Sequence, residues 1–441
     1  KGLFSAIRSE RKPLAAMMDP DHGMVKAVFL VGRGGGGHMA AAKALQRCVL
    51  DNADSVIECV EIADGGGLAE LAISGDLLPS GDDIYNYFMR IGFYTMAGML
   101  GNIAAFGIKM NQAAIEEVFE EYWHVKKPAL VVSFVPFLNV AMRASLLKVF
   151  PHGRFVTVIT DVANCPEHPW IDRYDATALN HSLVVGNETL EAQALEMGWP
   201  SSALLRTSGM VIHPQFYDPK AKNHGATSQT VVIFFGGTAP MRVGQIARKL
   251  SAAHPDMSIV VLCGKNEELR SQLQDFVQQG NGRHVVEGFV SSEQVRDYFA
   301  QAFCVLGKAG PGVAAEAIAC GVPMLIESRN VMPQEQPVLD YLAGSGAGLV
   351  VQDLENLPED LTSKVAECRR AIDALPANNA VFEVANYLDK LVMEPEAAAG
   401  THGLRNRRAS DVAECCEQTP LRQRDGVQPA VIGATEMSFG S

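Results

Sequence analysis

Two glycine-rich turns, about 270 residues apart, carry the residues best suited to bind an anion. The first, Gly32–His38, follows the apolar run Val25–Val31, and the second, Lys308–Gly312, lies between Cys304–Leu306 and Ala314–Cys320. Glycine lets the backbone approach a ligand closely, and the start of a following helix presents free N–H groups. Two such turns, one in each half of the chain, predict two Rossmann-like domains that face a shared cleft.

A titratable side chain accompanies each turn. His38 follows the first turn directly, and its ordinary pKa near neutrality suits a general base, although a histidine that caps the turn fits the same position. Glu316 lies four residues after Gly312, where its carboxylate can accept hydrogen bonds from the two hydroxyls of a ribose. A solvated helical glutamate is the alternative for Glu316.

The first turn taken alone fits a dinucleotide fingerprint, Gly32-x-Gly34-x-x-Gly37, with Glu58, Glu61 or Asp64 as the required acidic residue. An NAD(P)-dependent oxidoreductase is therefore an alternative. Two observations oppose it: His38 would point into the bound ligand, and a single-Rossmann enzyme gives the second turn no role.

The elements that must position these turns alternate between strand and helix patterns. This alternation predicts an α/β fold with parallel sheets covered by helices. The predicted strands are Val25–Val31, Val56–Ile62, Ala129–Phe134, Arg154–Thr160, Ser182–Val185, Val231–Phe235, Ser258–Cys263, His284–Val286, Cys304–Leu306, Val322–Glu327 and Leu349–Val351. The predicted helices are Met39–Leu50, Leu138–Val149, Thr189–Met197, Val243–Ala253, Glu267–Gln279, Ala314–Cys320, 358–374 and 379–392.

Composition shifts along the chain predict its domain boundaries. A polar, proline-containing stretch separates the two halves, and the last residues have no apolar period. We predict a loose segment 1–24, a first Rossmann-like domain 25–210 with a helical insertion 66–125, a linker 211–229, a second Rossmann-like domain 230–375, a closing helix 376–393 and a disordered tail 394–441.

The charge and cysteine content exclude several classes of function. The formal net charge of 37 − 50 = −13 over 441 residues disfavours an extended nucleic-acid surface. The nine cysteines include no CxxC pair, which disfavours zinc sites and, with their odd number, fits a reducing compartment. The two glycine turns include no Asp-x-Asp pair, and we predict no metal site.

Residues 84–112 are rich in large apolar side chains, and residues 91–108 carry no charge. Thr95, Asn102 and four glycines lower the hydrophobicity of the uncharged stretch, so a segment that lies on a membrane surface is favoured over one that spans it. Arg90 and Lys109 would then lie at headgroup level. The alternative is a helical insertion that packs on its own domain.

The motifs together resemble the monogalactosyldiacylglycerol synthases. These are GT-B glycosyltransferases of the family 28 group, related to the peptidoglycan N-acetylglucosaminyltransferase. The resemblance runs in order from about residue 25 to residue 390 and rests on Gly34–His38 with Ala40–Ala44, Thr160–Asp161, His168–Trp170, Gly209–Phe216, Lys308–Ala317 and Pro333–Glu335.

The resemblance implies inverting, metal-independent transfer of a hexose, normally galactose, from a UDP-sugar to diacylglycerol, with no cofactor. His38 would be the base on the acceptor hydroxyl, and Glu316 would bind the ribose. The other implied donor-site residues are Gly236, Gly237, Lys308, Gly310, Pro311, Gly312, Gln334 and Glu335. The implied acceptor-side residues are Gly35, Gly36, Gly37, Asp161, His168 and Trp170.

The chain departs from the family at three places. Pro240 replaces a flexible position after Gly236–Gly237, Pro337 and Val338 replace the Gly and Asn expected after Glu335, and Arg33 interrupts the first turn. Because of these departures, the resemblance does not fix the identity of the transferred sugar. A non-catalytic GT-B-like protein is an alternative. The resemblance also implies a membrane-peripheral protein that faces a reducing compartment, at the plastid envelope if the source is a photosynthetic eukaryote.

Overall fold

The structure, a computed structural model, describes residues 25–32, 36–73, 105–162, 168–175, 180–218, 221–223, 229–329, 331 and 335–393. Within these residues the chain forms two six-stranded parallel sheets. The strands of the first sheet are β1 Lys26–Val31, β2 Cys59–Asp64, β3 Leu130–Phe134, β4 Arg154–Val158, β5 His181–Val185 and β6 Leu204–Arg206. Those of the second are β7 Thr230–Phe234, β8 Ser258–Leu262, β9 Val285–Glu287, β10 Cys304–Gly307, β11 Met324–Glu327 and β12 Gly348–Val351.

Helices connect the strands of both sheets. In the first half they are α1 Gly37–Asp51, α2 Gly65–Ile73, α3 Gln112–Lys126, α4 Asn139–Val149 and α5 Glu188–Glu196, and residues 105–110 are also helical. In the second half they are α6 Val243–Ala253, α7 Glu267–Gln272, α8 Gln274–Gln279, α9 Ser292–Gln301, α10 Pro311–Cys320, α11 Gln336–Ser345, α12 Leu361–Asp373 and α13 Ala380–Met393.

Both sheets are covered on two faces, which explains why their strands read as nearly continuous apolar runs. In β1, Phe29 and Val31 belong to the core on one face, whereas Val28 and Leu30 belong to the core on the other. The second sheet repeats this alternation between two cores. The predicted α/β architecture with two Rossmann-like sheets is therefore confirmed.

The order of the strands in each sheet indicates where ligands can bind. The first sheet runs β2-β1-β3-β4-β5-β6 and the second runs β12-β11-β10-β7-β8-β9. The order reverses between β1 and β3 in the first sheet, and between β7 and β10 in the second. Ligands of open α/β sheets bind outside the carboxyl ends of the strands at such switch points. The glycine turns after β1, β7 and β10 all lie at these positions.

Several predicted elements differ from those observed. The strand predicted at Val56–Ile62 is Cys59–Asp64, because Val56 donates its N–H to the Asp389 side chain instead of a neighbouring strand. The helix predicted at Glu267–Gln279 is two helices that meet at Leu273. Strand β6 and helices α9 and α11 were not predicted.

The last described helix, α13, packs against the first sheet. Its residues Ala380, Val381, Val384 and Leu388 join the same buried core as Leu45 of α1. The chain thus returns from the second sheet to the first. The predicted domain boundaries stay predictions, and segments 1–24 and 394–441 lie outside the described residues.

Candidate functional site

The two sheets bring their glycine turns together. A Cβ atom added to Gly36 would lie 3.5 Å from both the Cα and the backbone nitrogen of Gly237, and one added to Gly237 would lie 3.6 Å from the Cα of Gly36. Larger side chains at these positions would hold the turns apart. The turn before α1 and the turn after β7 therefore face each other, as expected for two domains that share a cleft. Gly35 lies outside the described residues.

The turn after β7 is held in place by its neighbours. Gly236 has a φ of +86°, a conformation that favours glycine. The carbonyl of Gly237 accepts a hydrogen bond from the N–H of Lys265 at 2.9 Å, and Asn266 donates its side-chain amide to the carbonyl of Ala239 at 2.7 Å. These bonds fix the backbone after Gly237, so Pro240 sits in an ordered loop.

His38, the second residue of α1, is held by residues that follow β4. Its Nδ1 atom lies 2.6 Å from the Thr160 hydroxyl oxygen, and its Nε2 atom lies 3.8 Å from a carboxylate oxygen of Asp161. The Trp170 ring packs edge-on against the imidazole with ring centroids 5.3 Å apart. The ring therefore has an orienting partner on Nδ1 and a carboxylate near Nε2, which is the arrangement of a positioned base.

His168 shapes the loop that carries Trp170. Its Nδ1 atom accepts hydrogen bonds from the backbone N–H groups of Trp170 and Ile171 at 3.1 and 3.0 Å. The amide of Asn139 donates to the carbonyl of Trp170 at 3.3 Å. His168 and Trp170, two of the predicted acceptor-side residues, are both buried. His168 thus acts through Trp170, whose ring then limits the orientations open to His38.

The second predicted phosphate turn follows β10 and leads into α10. Gly310 precedes the helix, Pro311 is its first residue, and no described side chain caps this end. A helix start of this kind carries free N–H groups and a positive dipole end. Beside it, the Lys308 ammonium lies 3.1 Å from a carboxylate oxygen of Glu335, which is nearly buried.

Glu316 lies in the middle of α10 and is partly exposed to solvent. Among the described residues its carboxyl has no hydrogen bond or ion pair. Burial raises the pKa of Glu316 to about 8. Burial also raises the pKa of Tyr217, with the charges of Glu383 and Glu316 adding to the rise, and helix α10 packs against the Pro214–Tyr217 turn. A carboxyl held without a partner is suited to a ligand that supplies hydrogen-bond donors.

A pocket at the carboxyl edge of the second sheet contains charged residues that sequence reasoning did not identify. Its lining includes Phe235, Arg242, Lys308, Glu327, Arg329 and Glu335. Of these, Arg242, Glu327 and Arg329 belong to no motif, and only the fold brings them to Lys308 and Glu335. The clue available in the sequence was that Glu327 ends a predicted buried strand. Gln334, predicted beside Glu335, lies outside the described residues.

Two of the three acidic candidates for a dinucleotide site, Glu61 and Asp64, are engaged elsewhere. Glu61 forms ion pairs with Lys26 at 2.7 Å and Lys126 at 2.6 Å, and Asp64 accepts a hydrogen bond from the N–H of Gly67 at 2.9 Å. In the described part of the chain, no three His, Cys, Asp or Glu side chains form a group that could hold a metal ion.

Residues 74–104, which include most of the predicted apolar stretch 84–112, lie outside the described residues. Exposed apolar side chains flank them on both sides. Phe106 is 68% exposed and Met110 is 70% exposed, and Leu71 and Ile73 are exposed at the end of α2. Over the residues that the structure covers, none of the helices has the length and apolar content to cross a membrane.

Comparison with known proteins agrees with this geometry. Residues 231–391 match the glycosyltransferase family 28 C-terminal domain, which confirms the resemblance for the half that carries the Lys308 turn. The chain is 30% identical over 268 residues to a protein of Oryza sativa subsp. japonica named "Probable monogalactosyldiacylglycerol synthase 2, chloroplastic". That match covers 56% of this chain and 54% of the rice protein, so the chain spans about half the length of this relative.

A second relative and a solved structure extend the likeness to both halves. The chain is 26% identical over 353 residues to the "Processive diacylglycerol beta-glucosyltransferase" of Bacillus pumilus, covering 77% of this chain and 86% of that protein. The crystal structure of MurG from Acinetobacter baumannii superposes with a TM-score of 0.50 at 12% identity, covering 83% of this chain and 99% of that one. This likeness is one of fold, and it supports the GT-B-like arrangement.

Proposed function

We propose that this chain, whose residues 231–391 form a glycosyltransferase family 28 C-terminal domain, transfers a hexose from a UDP-sugar to a lipid hydroxyl, with diacylglycerol as acceptor. The observation that carries the proposal is the approach of Gly36 to Gly237. It supports one cleft shared by the His38 side and the Lys308 side, as a transfer between two substrates requires. The names of the rice and Bacillus relatives supply the substrate class.

On the donor side, the diphosphate of the UDP-sugar would lie on the start of α10. The free N–H groups of Gly312 and Val313 and the helix dipole would stabilise its negative charge, since Pro311 has no N–H and Gly310 donates its own to the Lys308 carbonyl. Glu316 would accept hydrogen bonds from the ribose hydroxyls, which its unpartnered carboxyl favours. When the sugar is transferred, charge builds on the leaving UDP, and the same N–H groups stabilise that charge without a metal.

On the acceptor side, His38 would act as the general base. With its Nδ1–H donated to Thr160, the Nε2 atom carries the lone pair that removes the proton from the lipid hydroxyl. The oxygen then attacks the anomeric carbon while the bond to UDP breaks, and direct attack inverts that carbon. The Asp161 carboxylate, 3.8 Å from Nε2, stabilises the imidazolium that forms.

Galactose is the proposed sugar, and glucose is the alternative that the Bacillus relative favours. The proposed protein is membrane-peripheral, since its acceptor is a lipid and exposed Phe106 and Met110 flank the apolar stretch. A plastid location follows only if the source is a photosynthetic eukaryote, as the rice relative is named chloroplastic.

The test is transfer from radiolabelled UDP-galactose and UDP-glucose, in separate reactions, to vesicles that contain diacylglycerol. A labelled glycolipid from either donor supports the activity, and the better donor identifies the sugar. The anomeric configuration of the product tests inversion, and activity in the presence of a chelator tests metal independence. No labelled lipid from either donor would refute the proposal.

Thermal denaturation with UDP or NADH separates this function from the oxidoreductase alternative, because a ligand that binds only the folded state raises the melting temperature. Stabilisation by UDP alone supports the transferase. Stabilisation by UDP with no turnover of either donor would instead favour a non-catalytic GT-B-like protein.

A further inference from the structure

The turn after β7 rests on the loop that follows the neighbouring strand β8. Thr238 and Gly264 form an isolated antiparallel bridge between the two segments, and the N–H of Ala239 donates to the carbonyl of Cys263 at 3.1 Å. Gly264 has a φ of +60°, and a Cβ atom there would lie 2.3 Å from the Gly237 carbonyl oxygen. The two segments are therefore in direct backbone contact, with no space for a side chain at Gly264.

Asn266 joins the two segments through its side chain. The residue is only 2% exposed, and both ends of its amide are used. The Nδ2 group donates to the Ala239 carbonyl at 2.7 Å and lies 3.3 Å from the Met241 sulfur. The Oδ1 atom accepts a hydrogen bond from the N–H of Leu269 at 3.1 Å. One side chain therefore both caps helix α7 and holds the turn after β7.

Capping alone does not require an amide at this position. Serine and aspartate cap helices about as well as asparagine, because the cap uses only an acceptor. The bond to Ala239 requires a donor, and Ala239 is fully buried, so loss of that donor removes a hydrogen bond from a buried carbonyl. Pro240 follows directly and restricts Ala239 to extended conformations, which limits the directions open to that carbonyl. The bond to Ala239, rather than the cap, is thus the reason for an amide at position 266.

The held turn is where the second half of the chain approaches the first. Gly237 precedes Ala239 by two residues and lies close to Gly36. Gly36 in turn precedes His38 by two residues. A displacement of the turn would therefore change the spacing between the two sides of the cleft. A misplacement of about 1 Å at a reacting centre can lower a rate roughly 10²-fold, even when the changed residue lies far from the chemistry.

We propose that Asn266 is a positioning residue for the transfer reaction, because its amide holds the turn after β7 where Gly237 meets Gly36. The effect on turnover rests on the proposed function. Asn266 acts through the backbone of the turn, and no contact with a substrate is required. The inference goes beyond a stabilising cap, since it predicts a loss of activity in variants that keep the cap.

The test uses Asn266→Ser and Asn266→Asp, which keep an acceptor for the N–H of Leu269 but lose the donor to Ala239. Asn266→Asp should have the larger effect, because it also turns a carboxylate oxygen towards the Ala239 carbonyl. The matched controls are Asn187→Ser and Asn187→Asp. Asn187 caps helix α5 in the first half in the same way, accepting from the N–H of Leu190 at 2.8 Å. Activity is measured well below the melting temperature of each variant.

Hydrogen–deuterium exchange reports on the turn without any substrate. In both Asn266 variants the peptides that cover 236–244 should exchange about fivefold faster than in wild type, whereas those that cover the start of α7 should exchange as in wild type. The turnover number with the better UDP-sugar should fall about tenfold in Asn266→Ser and further in Asn266→Asp. The controls should change neither quantity.

Unchanged exchange in 236–244, or full turnover in both Asn266 variants, would overturn the inference. Faster exchange confined to the start of α7 would show that Asn266 serves only as a cap, and would overturn it as well. If wild type transfers no sugar from either donor, the proposed function fails instead. The exchange data then still decide whether Asn266 holds the turn, so the two failures are distinct.

Discussion

Because burial raises the pKa of Glu316, we expect donor affinity to increase with pH. Burial holds its pKa near 8, so the carboxyl of the free protein is mostly protonated at neutral pH. Ribose hydroxyls bind the ionised form, because a carboxylate accepts two hydrogen bonds. Donor binding must therefore release a proton, and donor affinity must rise with pH until the free carboxyl is ionised.

The size of this effect follows from the titration curve. With a pKa of about 8, roughly 1% of the free carboxyl is ionised at pH 6 and about half at pH 8. The affinity for UDP-galactose should then rise about 50-fold between pH 6 and pH 8 and change little above that range. The diphosphate diester of a UDP-sugar does not titrate in this interval, so the slope belongs to the protein.

Isothermal titration calorimetry in buffers of different ionisation heat measures both the affinity and the proton release. The variant Glu316→Gln should bind more weakly at pH 8 and lose the pH slope, whereas Glu268→Gln, an exposed control in α7, should keep it. Affinity that stays constant from pH 6 to pH 8, or a slope that survives in Glu316→Gln, would refute the reasoning.

The same carboxyl affects folding with the opposite sign. Its pKa is near 4.5 in the unfolded chain and about 8 in the folded protein, so the folded state binds more protons between these values. Stability without ligand should fall as pH rises through this window. In Glu316→Gln the melting temperature should fall less as pH rises, because the titrating carboxyl is absent.

Four other predictions test the site and its scaffold. His38→Ala should lower the turnover number 10²- to 10⁴-fold with UDP binding unchanged, and full activity would exclude His38 as the base. Thr160→Val should lower the turnover number about tenfold and shift its pH profile, with Thr160→Ser restoring both; equal activity of the two variants would exclude a positioning role. Gly264→Ala should destabilise the protein by about 1–3 kcal/mol in urea unfolding, because Gly264 has a φ of +60° and a Cβ there would lie 2.3 Å from the Gly237 carbonyl oxygen; unchanged stability would contradict this. Phe106→Ser with Met110→Ser should weaken sedimentation with lipid vesicles while leaving UDP binding intact, and unchanged sedimentation would place the membrane contact elsewhere.

Patterns that depend on local sequence predicted most of the fold. Buried parallel strands and glycine turns are local signals, and eleven predicted strands correspond to observed ones. Strand β6 was missed because its three residues are only partly buried and show no distinct apolar run. Helix α9 was overlooked although Ser291 and Gln294 form a capping box, a pattern that is visible in the sequence.

The residues of the candidate site could also be predicted only in part from the sequence. His38 and Glu316 stand beside glycine turns, so their positions could be predicted, although their partners could not. Thr160 reaches His38 across 122 residues, and Arg242 reaches Glu327 across 85. Such pairs form only when strand order places distant strand ends side by side, and a single sequence does not contain that order.

The return of α13 to the first sheet has a consequence for biosynthesis. Ala380, Val381, Val384 and Leu388 complete a core that begins with β1, so the first half of the chain leaves the ribosome with an apolar face that α1 covers only in part. The strands of the second sheet are contiguous from residue 230 to residue 351 and can fold before that face is closed. The core of the half made first would thus be completed last, after α13 has emerged.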